Sequence, residues 1–305
     1  YRRGASITLI VSVMVALSYG AFLLYERRLP SYSCPTMETD EERSKLYLLS
    51  ENNVENDTAF MLTYREKGHD HWGWSFEEYK DEMYSWKASR FAELKDGDTI
   101  YESASGLGLN LVMTLEILHE MKNVSNLVVY GNEYVAESVK TSNRLMEEGI
   151  LPAGGRKGRI CQGDSGNISW VPSNSFDLVY TGYITPLQDP LEFHLGENAL
   201  WNKYDNICGG VHSVQTARVE QMRMLQEDWY SQWVSEMIRI AKPGVPVIVE
   251  QVSPSVCTFW DDWGGVDKGF WYNAPVTYGW DVDPASIEME NDESGNQDGR
   301  YHVFM

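Results

Sequence analysis

Residues 99–115, TIYESASGLGLNLVMTL, constrain the fold of this chain more than any other stretch. Thr99, Ile100 and Tyr101 have strand-type side chains and Glu102 falls at the strand's carboxyl end. Ala104, Ser105, Gly106 and Gly108 then form a loop whose side chains are small enough to let a ligand approach the backbone. The apolar run that follows predicts a helix, with its free N–H groups and positive dipole end turned back on that loop. Strand, small-residue loop and helix in this order predict a nucleotide-type site at the carboxyl edge of a parallel sheet.

The rest of the chain repeats the alternation. Asn126 to Tyr130 (NLVVY) predicts a second strand, followed by Gly131, Asn132 and Glu133 as a loop and a helix to about Gly149. Gly158 to Gln162, Phe176 to Thr181 and Val245 to Gln251 read as three more strands, and the closing RYHVF as another. Strands separated by helices imply βαβ crossovers and a sheet covered on both faces. The fold class expected is therefore α/β, a doubly wound, mostly parallel sheet. No internal repeat or low-complexity tract interrupts it.

Three further segments frame this core. Ala5 to Tyr25 is 21 residues without a charge, flanked by Arg2 and Arg3 and by Glu26, Arg27 and Arg28. At ~1.5 Å per residue it spans roughly 30 Å, so residues 1–28 are expected to be a single-pass membrane anchor, with a cleaved signal peptide as the rival reading. Arginines on both flanks leave its orientation and compartment open. Residues 29–94 read as a charged stalk and an aromatic helical cap, with Ser75 as the N-cap of a helix reaching about Leu94. Residues 95–305 read as the α/β domain, interrupted over about 185–224 by an insertion across the sheet's carboxyl edge.

A net charge of −20 repels polyanions, and no basic stripe offsets it, so nucleic acid is excluded as a partner. Cys34, Cys161, Cys208 and Cys257 lie far apart without a C-x-x-C pair, which speaks against a zinc site and against a dense disulfide scaffold. His69 and His71 have only Asp70 beside them and make no metal site. Sequons begin at Asn56, Asn123 and Asn167 and would place the domain in a lumen if used.

The dinucleotide pattern G-x-G-x-x-G fails here, because the third glycine position is Leu111 or Leu109. Glu102, Ala104, Gly106 and Gly108 instead resemble motif I of the class I S-adenosylmethionine-dependent methyltransferases, an acidic-x-Gly-x-Gly-x-Gly pattern with its first glycine replaced. Alanine fits at 104 if φ is negative there. Glu133, 25 residues beyond Gly108, matches the acid that this family sets on the donor's ribose hydroxyls, with Tyr134 beside it. Gln162, Gly163, Asp164 and Ser165 are similar to motif II, whose acid accepts from the adenine amino group. Residues 175–184, SFDLVYTGYI, resemble motif IV, with Asp177 opening the strand and Thr181, Gly182 and Tyr183 at its ligand-facing end. Arg239 to Val249 resembles the family's helix, Lys-Pro-Gly turn and fifth strand.

The resemblance covers about residues 97–251, and it implies that the sheet is a seven-stranded one of Rossmann-like type. It implies S-adenosylmethionine as cofactor, held by Glu102, Ala104, Ser105, Gly106, Gly108, Glu133, Tyr134, Asp164, Ser165 and Thr181. The implied activity is methyl transfer to a small-molecule or lipid-like acceptor by in-line displacement, in which alignment supplies much of the rate. An oxygen acceptor also needs a base, and His71, His194 and Tyr183 are the candidates by chemistry and approximate position. Aromatic and acidic residues from Trp260 to Asp267 read as packed core with solvated acids, or alternatively as a cation-binding wall. The opposing reading of the whole chain is a non-catalytic protein of the same fold, serving as a membrane-anchored scaffold or assembly subunit. The implied donor is made in the cytosol, so it and the sequons point to opposite sides of a membrane.

Overall fold

The structure, a computed structural model, describes residues 29–37, 90–91, 93–182, 213–255, 265–291 and 299–305. Residues 1–31 form one compact unit and residues 32–305 another, and all the described strands and helices belong to the second. The expected membrane span at Ala5–Tyr25 lies outside the described residues, as does nearly all of the expected cap helix from Ser75. Among the described residues no helix is long and apolar enough to cross a membrane.

Seven strands form one sheet: β1 (Thr99–Ser103), β2 (Val128–Glu133), β3 (Arg156–Gln162), β4 (Leu178–Thr181), β5 (Val247–Val252), β6 (Glu288–Asn291) and β7 (Tyr301–Phe304). Their spatial order is β3-β2-β1-β4-β5-β7-β6. The first five strands pair in parallel, while β7 runs antiparallel to both β5 and β6. The sheet is therefore mixed, with a parallel centre as expected. Strand order reverses between β1 and β4, and in open sheets of this kind ligands bind outside the carboxyl ends of the strands at that switch.

Alternation along each strand feeds two cores. Ile100, Val129, Leu178, Tyr180 and Ile248 pack in one cluster, whereas Tyr101, Val128, Tyr130, Val179, Val247 and Val249 pack in the other. Neighbouring residues thus point to opposite, equally buried faces, which is why the strands read as continuous apolar runs. Helix α1 (Leu109–Lys122) buries Leu111, Leu115 and Leu118 in the first cluster. Helix α2 (Ala136–Glu147) is amphipathic, with Leu145 and Met146 buried and Glu137 and Lys140 exposed. Helix α3 (Ser213–Ile240) packs Tyr230, Trp233, Val234 and Met237 on the second cluster, together with Phe270 and Trp271 of α4 (Lys268–Tyr278).

Several boundaries differ from the sequence reading. Gly131, Asn132 and Glu133 belong to β2 rather than to a loop, because parallel pairing with β1 runs through Gly131 and Asn132 and pairing with β3 through Glu133. Asn126, expected to open that strand, has φ +59° and cannot be extended. The last third of the expected insertion, from Ser213, is the start of α3. Trp271 and Trp280 are buried in the second cluster. Cys34 and Cys161 form a disulfide, which ties the segment after residue 32 to β3, and Tyr32 packs its ring 6.0 Å from Tyr130 and 5.5 Å from Trp170. Cys208 and Cys257 lie outside the described residues.

Candidate site at the carboxyl edge of the sheet

The loop after β1 is built by backbone bonds. Ser105 N–H donates to Asn132 O (2.9 Å), Gly108 N–H to Ser105 O (2.8 Å), and Val112 N–H to Gly108 O as α1 begins. Gly106 and Gly108 have φ +53° and +83°, where a side chain is strained. At Gly108 a Cβ would also strike Met146 and Ser142 of α2, while at Gly106 no heavy atom lies within 4 Å of a Cβ position. Gly108 closes packing between α1 and α2, and Gly106 faces open space. Ala104 has φ +55°, not the negative value its side chain favours, and a left-handed L-residue costs about 1–2 kcal/mol. That expectation is corrected: the turn imposes the glycine conformation and alanine bears it.

Glu133 ends β2 and turns back on this loop. Its Oε2 accepts from Gly106 N–H at 3.0 Å and its Oε1 from Val135 N–H at 2.8 Å. Burial raises the Glu133 carboxyl above its ordinary range, and the N–H groups of Val135, Gly106 and Tyr134 pull it part of the way back. Of these groups Gly106 N–H and Val135 N–H lie within hydrogen-bond distance, and with about four acceptor positions on a carboxylate they leave capacity for a further donor. Gly163 N–H donates to Glu133 O at 3.0 Å, which sets the loop after β3 beside it.

That loop carries Asp164, half-buried, whose Oδ1 accepts from Gly166 N–H at 2.9 Å. Ser165 is buried and its hydroxyl accepts from Asn132 Nδ2 (2.9 Å). Asn132 Nδ2 also donates to Gly163 O (3.1 Å), and Asn132 Oδ1 accepts from the Tyr101 hydroxyl (2.9 Å). A fully buried asparagine thus fastens β1, β2 and the loop after β3 in one network. Sequence reasoning missed Asn132 by treating it as loop. Tyr134 presents its carbonyl to Gln162 Nε2 at 3.0 Å, and the buried Thr181 hydroxyl bonds to Gly182 O at 3.2 Å.

Glu102 sits on the other side of β1. Its Oε1 accepts from Asn110 Nδ2 at 2.9 Å, and the same amide group reaches Glu250 Oε2 at 3.3 Å. Both glutamates are 2% exposed. Burial and the charges of Glu102 and Glu250 together push the Tyr180 phenol well up, so it stays neutral beside them. Gly182 completes this corner, because a Cβ there would lie 2.9 Å from Asn110 Nδ2. Asn110 and Glu250 were not foreseen. The signal for Glu250 was a charged residue inside a strand, directly after the apolar run Val247 to Val249.

The structure therefore brings Glu133, Gly106 and the Asp164 loop together, and gathers Glu102 with Asn110, Glu250 and Gly182. His71, Tyr183 and His194 lie outside the described residues. Asp177 belongs elsewhere: it binds Thr99 N–H (2.9 Å), the Thr99 hydroxyl (2.8 Å) and Lys242 Nζ (2.7 Å) at the strands' amino-terminal edge. Burial alone would raise its carboxyl, but the Lys242 ammonium and Thr99 outweigh it and hold it low. A cleft of about 1010 Å³ opens at that same far edge, lined by Lys242, Pro243, Gly244 and Met305, and is unrelated to the acids above.

No family model and no curated protein matches the chain. Solved structures do resemble it. The [4+2]-cyclase SpnF aligns at TM-score 0.47 and 12% identity, over 87% of this chain and 79% of its own. A possible exported protein from Bordetella parapertussis aligns at 0.45 and 12%, over 74% and 66%. A SAM-dependent methyltransferase from Aquifex aeolicus aligns at 0.38 and 13%, over 73% and 89%. Methyltransferases are among the similar structures. At such identities nothing about the site rests on them.

Proposed function

We propose that this chain binds S-adenosylmethionine across the carboxyl ends of β1, β2 and β3 and transfers its methyl group to a small-molecule or lipid-like acceptor. The observation that carries the reading is Glu133: an acid at the end of β2 folds back onto the glycine loop after β1, with acceptor capacity beyond its two backbone donors. Vicinal hydroxyls of a ribose are the donors that suit such a carboxylate. The fit is supported by Gly106, whose Cβ position faces open space beside that carboxylate, and by Gly182, where a side chain would press on Asn110.

Within this reading Glu133 holds the ribose, Asp164 accepts from the adenine amino group, and the backbone of Ala104 to Gly108 borders the donor's chain. Ser105, Ser165 and Thr181 act by shaping the loops, since their hydroxyls bond to Asn132 or Gly182. Glu102 and Glu250 supply a negative field that favours a cationic ligand. Bound S-adenosylmethionine supplies an activated methyl on a good leaving group, so the protein's task is alignment and exclusion of water. The acceptor class rests on the net charge of −20, which disfavours polyanions.

The test is calorimetric titration of the full chain with S-adenosylmethionine and with its demethylated product. Saturable heat for both supports the reading. No heat from either, in protein that melts cooperatively, refutes it and leaves the scaffold interpretation.

A further inference from the structure

We infer that Asn123 and Asn167 are sites of N-linked glycosylation and that the domain matures in an oxidising, glycan-transferring compartment. Both begin N-x-S triplets, Asn123-Val124-Ser125 and Asn167-Ile168-Ser169, and both asparagines are exposed. Among the described residues neither Nδ2 donates a hydrogen bond. Asparagines that build the fold behave differently: Asn132 and Asn143 each spend Nδ2 on two acceptors, and Asn110 spends its own on two carboxylates. Neither Asn132, Asn143 nor Asn110 begins a sequon.

At Asn167 the local geometry already matches the modified state. Oδ1 accepts from the Ser169 hydroxyl at 2.9 Å, and this bond survives glycosylation because the sugar is attached to Nδ2. Asn123 caps the C-terminus of α1 with φ +56° and uses only its backbone N–H, toward His119 O and Leu118 O. It lies at the end of α1 opposite the Ala104–Gly108 loop, so a glycan there leaves the candidate site open.

The disulfide is an independent observation. Cys34 and Cys161 are 127 residues apart and joined, and such bonds persist in secreted and lumenal proteins while cytosolic thiols stay reduced. The modification itself is a group transfer from a polyprenyl-diphosphate-linked oligosaccharide. Asparagine Nδ2 bonds to C1 of the first sugar, the C1–O bond to diphosphate breaks, the lipid diphosphate leaves, and one Nδ2 proton passes to a base. None of this depends on the methyl-transfer reading.

The experiment is expression of the full chain in cultured eukaryotic cells, followed by digestion with an asparagine-specific deglycosylating amidase and peptide mass spectrometry. Expected are Asn→Asp conversion at 123 and 167 after digestion, one mobility step lost in each of Asn123→Gln and Asn167→Gln, and the step retained in Ser169→Thr. A Cys34–Cys161-linked peptide is expected without reductant. Unmodified asparagine at both positions, or modification confined to Asn56, overturns the inference, as does a pair of free thiols at 34 and 161.

Discussion

Replacing Glu133 by Gln removes one charge and one acceptor from the point where β2 meets the glycine loop. In the parent, the two carboxylate oxygens serve Gly106 N–H and Val135 N–H at 3.0 and 2.8 Å. Glutamine's single carbonyl oxygen can serve one, and its amide group then meets the other N–H donor to donor. An orphaned buried N–H costs about 1–3 kcal/mol, offset in part because no charge is held out of water, so the net loss of stability is about 1 kcal/mol. Donor binding suffers more. Hydrogen bonds to a charged acceptor contribute roughly 1.5–3 kcal/mol each, and losing one corresponds to roughly a 10- to 150-fold weaker affinity. The assay is calorimetric titration of Glu133→Gln and of the parent with the demethylated product, with a thermal melt to confirm folding. Affinity in the folded variant within about threefold of the parent would refute the assignment. Acid should act in the same direction. Because burial lifts the Glu133 carboxyl, parent affinity should fall as pH drops through a window above the ordinary carboxylate value of about 4.3, and Glu133→Gln should show no such window.

Ala104→Gly should relieve the left-handed strain at 104 and stabilise the domain by about 1 kcal/mol after the greater freedom of unfolded glycine is subtracted, roughly 2–4 °C in a thermal melt. Cys34→Ser should lower stability by about 2–4 kcal/mol, and adding reductant to the parent should reproduce the shift. Asp177→Asn should destabilise at neutral pH while leaving donor affinity unchanged, since Asp177 binds Thr99 and Lys242 at the edge away from the site. The sign follows from the low carboxyl: its stabilisation is present above the ordinary carboxylate value and is lost as pH falls through the depressed folded value. Parent and variant melts should therefore converge in acid.

The parallel core was legible because its determinants are local and repeated. A strand buried on both faces is mostly apolar, and β1, β2, β4 and β5 each announce themselves by a run of apolar residues. The recurring acid at a strand's end or just beyond it singled out Glu102, Glu133 and Asp164 as candidates. What escaped depends on partners distant in sequence. Whether Gly131 to Glu133 extends β2 is decided by neighbours on both sides, and no local pattern reports that. Glu250 looks like a strand residue until Asn110, 140 positions earlier, reaches toward it. Asp177 was read as opening the fourth strand, and it stands just before β4, bound to Thr99 and Lys242 at the edge away from the site. Strands β6 and helix α4, with Pro275 inside it, carry little periodic signal and form against β7 and the aromatic core.

The central claim, that a nucleoside sits between the glycine loop and the acids of β2 and the following loop, is tested most directly by a crystal structure of the full chain with the demethylated product bound. The account predicts ribose hydroxyls within hydrogen-bond distance of Glu133 and the adenine amino group facing Asp164. Product bound in the cleft beside Lys242, or bound at the carboxyl edge with its ribose turned away from Glu133, would contradict it.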